Sequence, residues 1–177
     1  MRIDKAGWLS GVTHCPSPNC DVRPDGAIVL LVIHNISLPP GQFGGDAVQR
    51  FFMNELPADE HPYYQAIAAI KVSAHFFIRR NGEIIQFVSC SQRAWHAGES
   101  CWQGRRRCND FSVGIELEGT DDLPYADAQY AALRGVTDAL RIRYPNIAIA
   151  GHHDIAPGRK TDPGYCFDWL RYLVGLA

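Results

Sequence analysis

Seven consecutive apolar residues, Ala27 to Ile33 (AIVLLVI), constrain this chain more than any other feature. A run this rich in β-branched and aliphatic side chains has no polar face to offer water. It reads as a strand covered on both faces. The run ends at His34, and NISLPPGQFGG beyond it is a loop by its proline and glycine content.

The remaining pattern supplies the cover. Ser73 to Val88 reads SAHFFIRR-NG-EIIQFV, two β-rich runs joined by Asn81-Gly82, a hairpin signal that calls for positive φ at both central residues. Phe111 to Leu117 and Ile147 to Ala150 read as further strands. Asp127 to Tyr144 is the longest helix expected. Tyr130, Leu133, Val136, Leu140 and Tyr144 recur at three- and four-residue steps along one face of it, and Pro145 ends it. Asp46 to Glu55 reads as a short helix capped by Asp46, and Phe167 to Leu176 as an amphipathic closing helix. Residues 13–26 read as an irregular arm, 56–64 as a loop, 89–110 as a long connection and 151–165 as a loop. Strands and helices interspersed, with one antiparallel pair, predict an α/β (α+β) fold, a central mixed β-sheet flanked by helices in one domain spanning 1–177.

A chain of 177 residues with net charge −2 carries no basic surplus, which argues against a non-specific nucleic-acid binder. In the run Arg105-Arg106-Arg107, the first two are read as a solvated face. The longest apolar run is too short to span a bilayer, and no apolar stretch follows the first charges. The expectations are therefore no membrane partner, a cytoplasmic location, a monomer, and six reduced cysteines rather than disulfides.

Three elements carry chemistry. His34 closes the buried strand; from position alone it reads as a satisfied histidine at the edge of the core. GHHDIAPGRKTDPG (151–164) crowds two histidines, two aspartates, an arginine and a lysine into a loop stiffened by two prolines. A loop so rich in ligands suits a preorganised site, and folding back could bring His152 and Asp162 to one metal, although spacing alone does not choose between His152 and His153. Glu116 lies in FSVGIELEG, on the same strand face as Glu118. Its apolar neighbours Ile115 and Leu117 argue that it is the more buried of the two. A carboxylate there needs a partner or a task, either a salt bridge or general base for a metal-bound water.

These motifs, with HNISLPP (34–40), RAWHAG (93–98) and CNDFSVGIELEGTD (108–121), occur in one order over nearly the whole chain. Together they resemble the AmpD family of anhydro-muramyl-peptide amidases, related to phage lysozyme-type amidases and peptidoglycan recognition proteins. The resemblance implies that the chain is a zinc enzyme cutting the amide between muramic acid and L-alanine of a 1,6-anhydro-N-acetylmuramyl peptide in cell-wall recycling. It implies Zn2+ on His34, His152 and Asp162, Glu116 as general base and then acid, and Lys160 against the oxyanion. Asp162 follows AmpD, where the phage and recognition-protein relatives usually carry cysteine.

Among substrate-binding candidates, Trp95 would stack on a sugar face or pack in the core, and Asn35 would bond substrate or hold its loop by an Asx turn. Arg107 would take a peptide carboxylate. Lys71 stands where the family leads one to expect arginine, which keeps the charge and loses the fork. His75 is read as structural and His96 as lining the cleft. The alternatives are a broader amidase acting on polymeric peptidoglycan, or a non-catalytic peptidoglycan-binding module, which would lack a zinc ligand.

Overall fold

The structure, a computed structural model, describes residues 1–24 and 26–176. Its strands are β1 (Thr13–His14), β2 (Cys20–Val22), β3 (Leu30–Ile36), β4 (Phe76–Ile78), β5 (Ile84–Gln86), β6 (Gln92–Ala94), β7 (Cys101–Trp102), β8 (Arg105–Arg106), β9 (Ser112–Glu118) and β10 (Ala148–Gly151). Its helices are α1 (Ala47–Phe52), α2 (Pro62–Ile67), α3 (Asp127–Arg143), α4 (His152–Ile155) and α5 (Trp169–Val174). The principal sheet has six strands in the order β1-β5-β4-β9-β3-β10. Only the β4–β5 pair is antiparallel; every other neighbouring pair runs parallel, so the sheet is mixed.

Alternation along the strands divides the core into two layers. Leu31 and Ile33 of β3, Val113, Ile115 and Leu117 of β9, and Phe76 and Ile78 of β4 pack with Tyr130, Leu133, Val136 and Leu140 of α3, the helix face that the sequence spacing marks. On the other side, Phe77 and Ile85 pack with Val48, Phe51 and Phe52 of α1 and Tyr64 of α2. Leu30 and Val32 pack there with Phe111, Ala150 and Ile155. Leu30 through Ile33 are wholly buried, as the apolar run demands, but Ala27 is exposed and Ile28 and Val29 are half-buried ahead of the strand, so only the second half of the run behaves as expected. Each wholly buried side chain contributes roughly 1.5–3 kcal/mol by leaving water. That second face also carries His34 and Glu116, one residue out of phase with Ile33 and Ile115.

Several local expectations are corrected. The first strand continues through His34 to Ile36, because residues 34–36 keep their pairing with β9. Of the hairpin centre, only Gly82 has positive φ, at 85°. Its N–H donates to the Arg79 carbonyl at 2.9 Å, and the Asn81 side chain accepts from the Glu83 N–H at 2.9 Å. Asn81 thus closes the turn with its amide group instead of its backbone. The supposed arm contains β1, which joins the sheet edge, and β2, which pairs with β6. The loop at 56–64 ends in α2, started by Pro62 behind His61, whose ring accepts from the Tyr63 N–H. Asp46 makes no side-chain cap to α1 and pairs with Arg50 instead. Residues 152–155 of the ligand-rich loop are helical. No helix among the described residues is long and apolar enough to cross a membrane.

Candidate metal centre and active site

Three elements converge at the C-terminal ends of β3 and β9, on the sheet face opposite α3. β3 brings His34, α4 begins with His152 immediately after β10, and the loop behind α4 returns Asp162. His34 Nδ1 lies 2.9 Å from His152 Nδ1 and 3.1 Å from Asp162 Oδ2; His152 Nδ1 lies 3.0 Å from the same oxygen. His34 and His152 are buried, at 1% and 3% exposure. His153 turns away, its Nε2 3.2 Å from Asp154. The structure thus separates the two adjacent histidines that spacing leaves open.

The outer nitrogens decide what the inner atoms carry. His152 Nε2 faces the Ala97 carbonyl at 3.1 Å, a group that only accepts, and the Arg159 guanidinium 3.4 Å away donates to that same carbonyl at 2.7 Å, so we assign the ring hydrogen to Nε2. Nδ1 of the neutral ring then presents a bare lone pair to a carboxylate oxygen. Two such groups in contact repel unless a cation or a proton lies between them. Three donors about 3 Å apart are what bonds of roughly 2.0–2.1 Å to one ion leave. The donor set, two imidazoles and a carboxylate, suits a divalent ion with a fourth position open, and these three residues form a group able to hold one. Burial outweighs the attraction of the Asp162 carboxylate and brings His34 down to about 4, so its ring is neutral and available as a ligand at pH 7.

Glu116 is opposite His34 in the β3–β9 register. Its Oε2 is enclosed with no hydrogen-bond partner among the described residues. Burial, then the neighbouring Asp162, push its carboxyl well above the ordinary range, while Lys160 opposes them. The expectation that Glu116 is the more buried of the pair fails. Glu118 is 3% exposed, and its carboxylate accepts from the Gly44 and Arg80 backbone amides at 2.5 and 2.9 Å. Glu118 is satisfied through both oxygens and Glu116 Oε2 is not, which separates a structural carboxylate from one with an oxygen free to act.

Glu116, His152, Lys160 and Asp162 line one cleft of about 860 Å³ with Asn35, Trp95 and Arg159. Phe51, Tyr63, Ile67 and Ile70 form its apolar wall. Trp95 is half-buried at the cleft rather than in the core. Asn35 makes no Asx turn: its amide donates to Asp121 Oδ1 at 2.8 Å, tying β3 to the segment after β9. Arg107 is not brought into this cleft. It is largely exposed, pairs with Asp110 at 3.3 Å, and lines an adjoining groove that meets the cleft at Arg159. Lys71 is exposed and does not line the cleft, although Ile70 and Val72 do. His75 is wholly buried, its Nδ1 accepting from the Gly114 N–H at 3.0 Å. Sequence reasoning missed the α2 wall, which Pro62 after a capping residue could have signalled. It also missed Arg159, whose guanidinium donates to the Ala97 and Glu99 carbonyls at 2.7 and 2.6 Å.

The model of the N-acetylmuramoyl-L-alanine amidase family matches residues 23–165, a span that includes every element of this site. The chain belongs to that family of enzymes, and within it to the AmpD type. It is 57% identical to the 1,6-anhydro-N-acetylmuramyl-L-alanine amidase AmpD of Citrobacter freundii, over 97% of this chain and 93% of the relative. A crystal structure of a selenomethionine derivative of AmpD superposes with a TM-score of 0.97 at 54% identity, covering both chains fully. The amidase AmiD of Escherichia coli, solved with the substrate anhydro-N-acetylmuramic acid-L-Ala-D-γ-Glu-L-Lys, superposes with a TM-score of 0.61 at 31% identity, covering 85% of this chain and 58% of that one.

Proposed function

We propose that this amidase holds Zn2+ on His34, His152 and Asp162 and hydrolyses the bond between the lactyl carbonyl of 1,6-anhydro-N-acetylmuramic acid and L-alanine, in the recycling of wall fragments in the cytoplasm. The observation that carries the reading is the meeting of three metal-suited donor atoms with an unpartnered buried carboxyl in one cleft. The substrate assignment draws on the names of the AmpD relatives and on the muramyl peptide held by AmiD. We further assign the chain as a monomer that binds this peptide and neither nucleic acid nor membrane.

When bound, the metal supplies Lewis acidity, polarising the scissile carbonyl and lowering the pKa of water. Glu116, raised by burial, would ionise beside such a charge. Glu116 then takes the proton of the attacking water at a carboxylate oxygen. It returns that proton to the alanine nitrogen as the C–N bond breaks, ending ionised as it began. Lys160 stabilises the negative oxygen of the tetrahedral species and favours the ionised base. Trp95 offers a flat face to the sugar, and the wall of Phe51, Ile67 and Ile70 excludes water around the bond. The position of Arg107 in the groove beyond Arg159 supports a role in meeting a stem-peptide carboxylate rather than acting at the reacting bond.

The test is a paired digest, read by mass spectrometry, of an anhydro-muramyl tripeptide and the same peptide on reducing-end muramic acid. Faster release of free tripeptide from the anhydro sugar supports the recycling substrate. Equal rates, or cleavage of polymeric wall, move the assignment to a broader amidase.

A further inference from the structure

Both metal-facing histidines are backed by neighbouring residues of one short segment. His34 Nε2 lies 2.9 Å from His96 Nδ1, and His96 Nε2 lies 3.1 Å from Ser112 Oγ. The next residue, Ala97, places its carbonyl 3.1 Å from His152 Nε2. A single side-chain oxygen, Asn109 Oδ1, accepts both backbone amides of this pair, at 3.2 Å from His96 and 2.8 Å from Ala97. Arg159 donates to the same Ala97 carbonyl. The His96 ring lies flat against β9 at a position only glycine allows. A Cβ on Gly114 would sit 2.5 Å from both Cγ and Nδ1 of His96.

We propose that His96 and Ala97 form one brace that orients both imidazole ligands, with Asn109 as the positioning residue that fixes it. The logic is a chain of hydrogen positions. A histidine that binds metal through Nδ1 must carry its hydrogen on Nε2. For His34 that hydrogen is donated to His96 Nδ1, which obliges His96 to carry its own hydrogen on Nε2 and donate it to Ser112 Oγ. For His152 the acceptor is the Ala97 carbonyl. Outer acceptors of this kind hold a ligand ring in place and raise its basicity. Here an imidazole does for His34 what a carboxylate or carbonyl commonly does, and it adds no negative charge to the centre. Because residues 96 and 97 are adjacent and share one clamp, a shift at Asn109 moves both ligands together.

This inference rests on the metal centre proposed above, and the experiment separates the two. The zinc dissociation constant of the full-length protein is measured by chelator competition for the wild type, His96→Leu, Asn109→Ala and Asn109→Asp. The state of the His34 ring in the zinc-loaded protein is read by NMR from its Nε2–H proton. His96→Leu should lower zinc affinity about 10–100-fold and expose that proton to exchange. Asn109→Ala, remote from the metal, should lower affinity in the same direction. Asn109→Asp, which keeps an acceptor oxygen, should restore it; these two variants carry the test should His96→Leu fail to fold. Wild-type zinc affinity in both His96→Leu and Asn109→Ala, with the His34 proton still protected, would overturn the brace and leave the metal centre standing. A wild type that binds no zinc would overturn both.

Discussion

His34 and Glu116 stand directly opposite each other on adjacent parallel strands, so the proposed metal ligand and the proposed general base share a single rung of the sheet. Neighbouring strands lie roughly 4.8 Å apart, and side chains in register point to the same face. The backbone ladder alone therefore fixes the distance between ligand and base. Glu116 is also outside the group of three donors, so its role is separable from theirs. Glu116→Ala should bind zinc as the wild type does and lose about 10²–10⁴-fold in kcat. Metal analysis beside steady-state kinetics checks this, and near-normal turnover would remove Glu116 from the mechanism.

Lys160 acts on the same carboxyl from the loop after α4. Burial and Asp162 raise Glu116, and Lys160 lowers it. Removing the cation must leave the acid form more stable, so the base is lost at a higher pH. Lys160→Met should retain zinc, reduce kcat by roughly 10²–10³-fold as an oxyanion partner is lost, and move the acidic limb of the kcat/KM profile upward. A limb that stays in place, or moves downward, would contradict the coupling.

His75, whose ring packs edge-on against His96 with centroids 5.7 Å apart, gives the fold a pH dependence. It is fully buried and its pKa is brought down to about 3, first by burial and then by Arg23. Its unfolded value is near 6.5. Between these values the unfolded chain binds a proton that the folded one refuses, so stability is complete above about pH 6.5 and falls as pH drops toward 3. The slope approaches about 1.4 kcal/mol per pH unit for one proton. Urea unfolding from pH 7 to pH 4.5 should show a steeper loss for the wild type than for His75→Gln. Equal slopes would mean that His75 is not the group responsible.

Tyr125 supports the ligand loop from the opposite side. Its hydroxyl donates to the carbonyl of Pro163, the residue after Asp162, at 2.8 Å. Tyr125→Phe leaves that buried carbonyl unsatisfied and should cost about 1–3 kcal/mol of folding stability. Thermal unfolding of both proteins measures it; an unchanged midpoint would show that the loop finds another donor.

The parts of the fold legible in the sequence are those that periodicity encodes. The apolar run of β3, the alternation of β9 and the spacing along α3 each declare a buried face, and each packs as read. The site was legible where ligand types cluster, at 151–164, and where a histidine follows a buried run. What periodicity cannot encode was not visible. Strands of two or three residues such as β1, β2 and β6 are too short to show a period, and α2 shows only its proline. Ile115 and Leu117 flank Glu116, yet they point to the opposite face and do not bury it; Glu118, nearer the loops, is the less exposed residue of the two, although Glu116 Oε2 is itself enclosed. Gly114 gave no sign that it seats His96, because that contact is made by a ring 18 residues earlier in the chain.

The most direct test of the central claim is the metal content of the purified protein, paired with its cleavage of an anhydro-muramyl tripeptide before and after a chelator. The account predicts about one zinc per chain, as a single three-ligand site requires. It also predicts peptide release that stops when the metal is withdrawn and returns when it is restored. Full cleavage by a protein that holds no metal would contradict it.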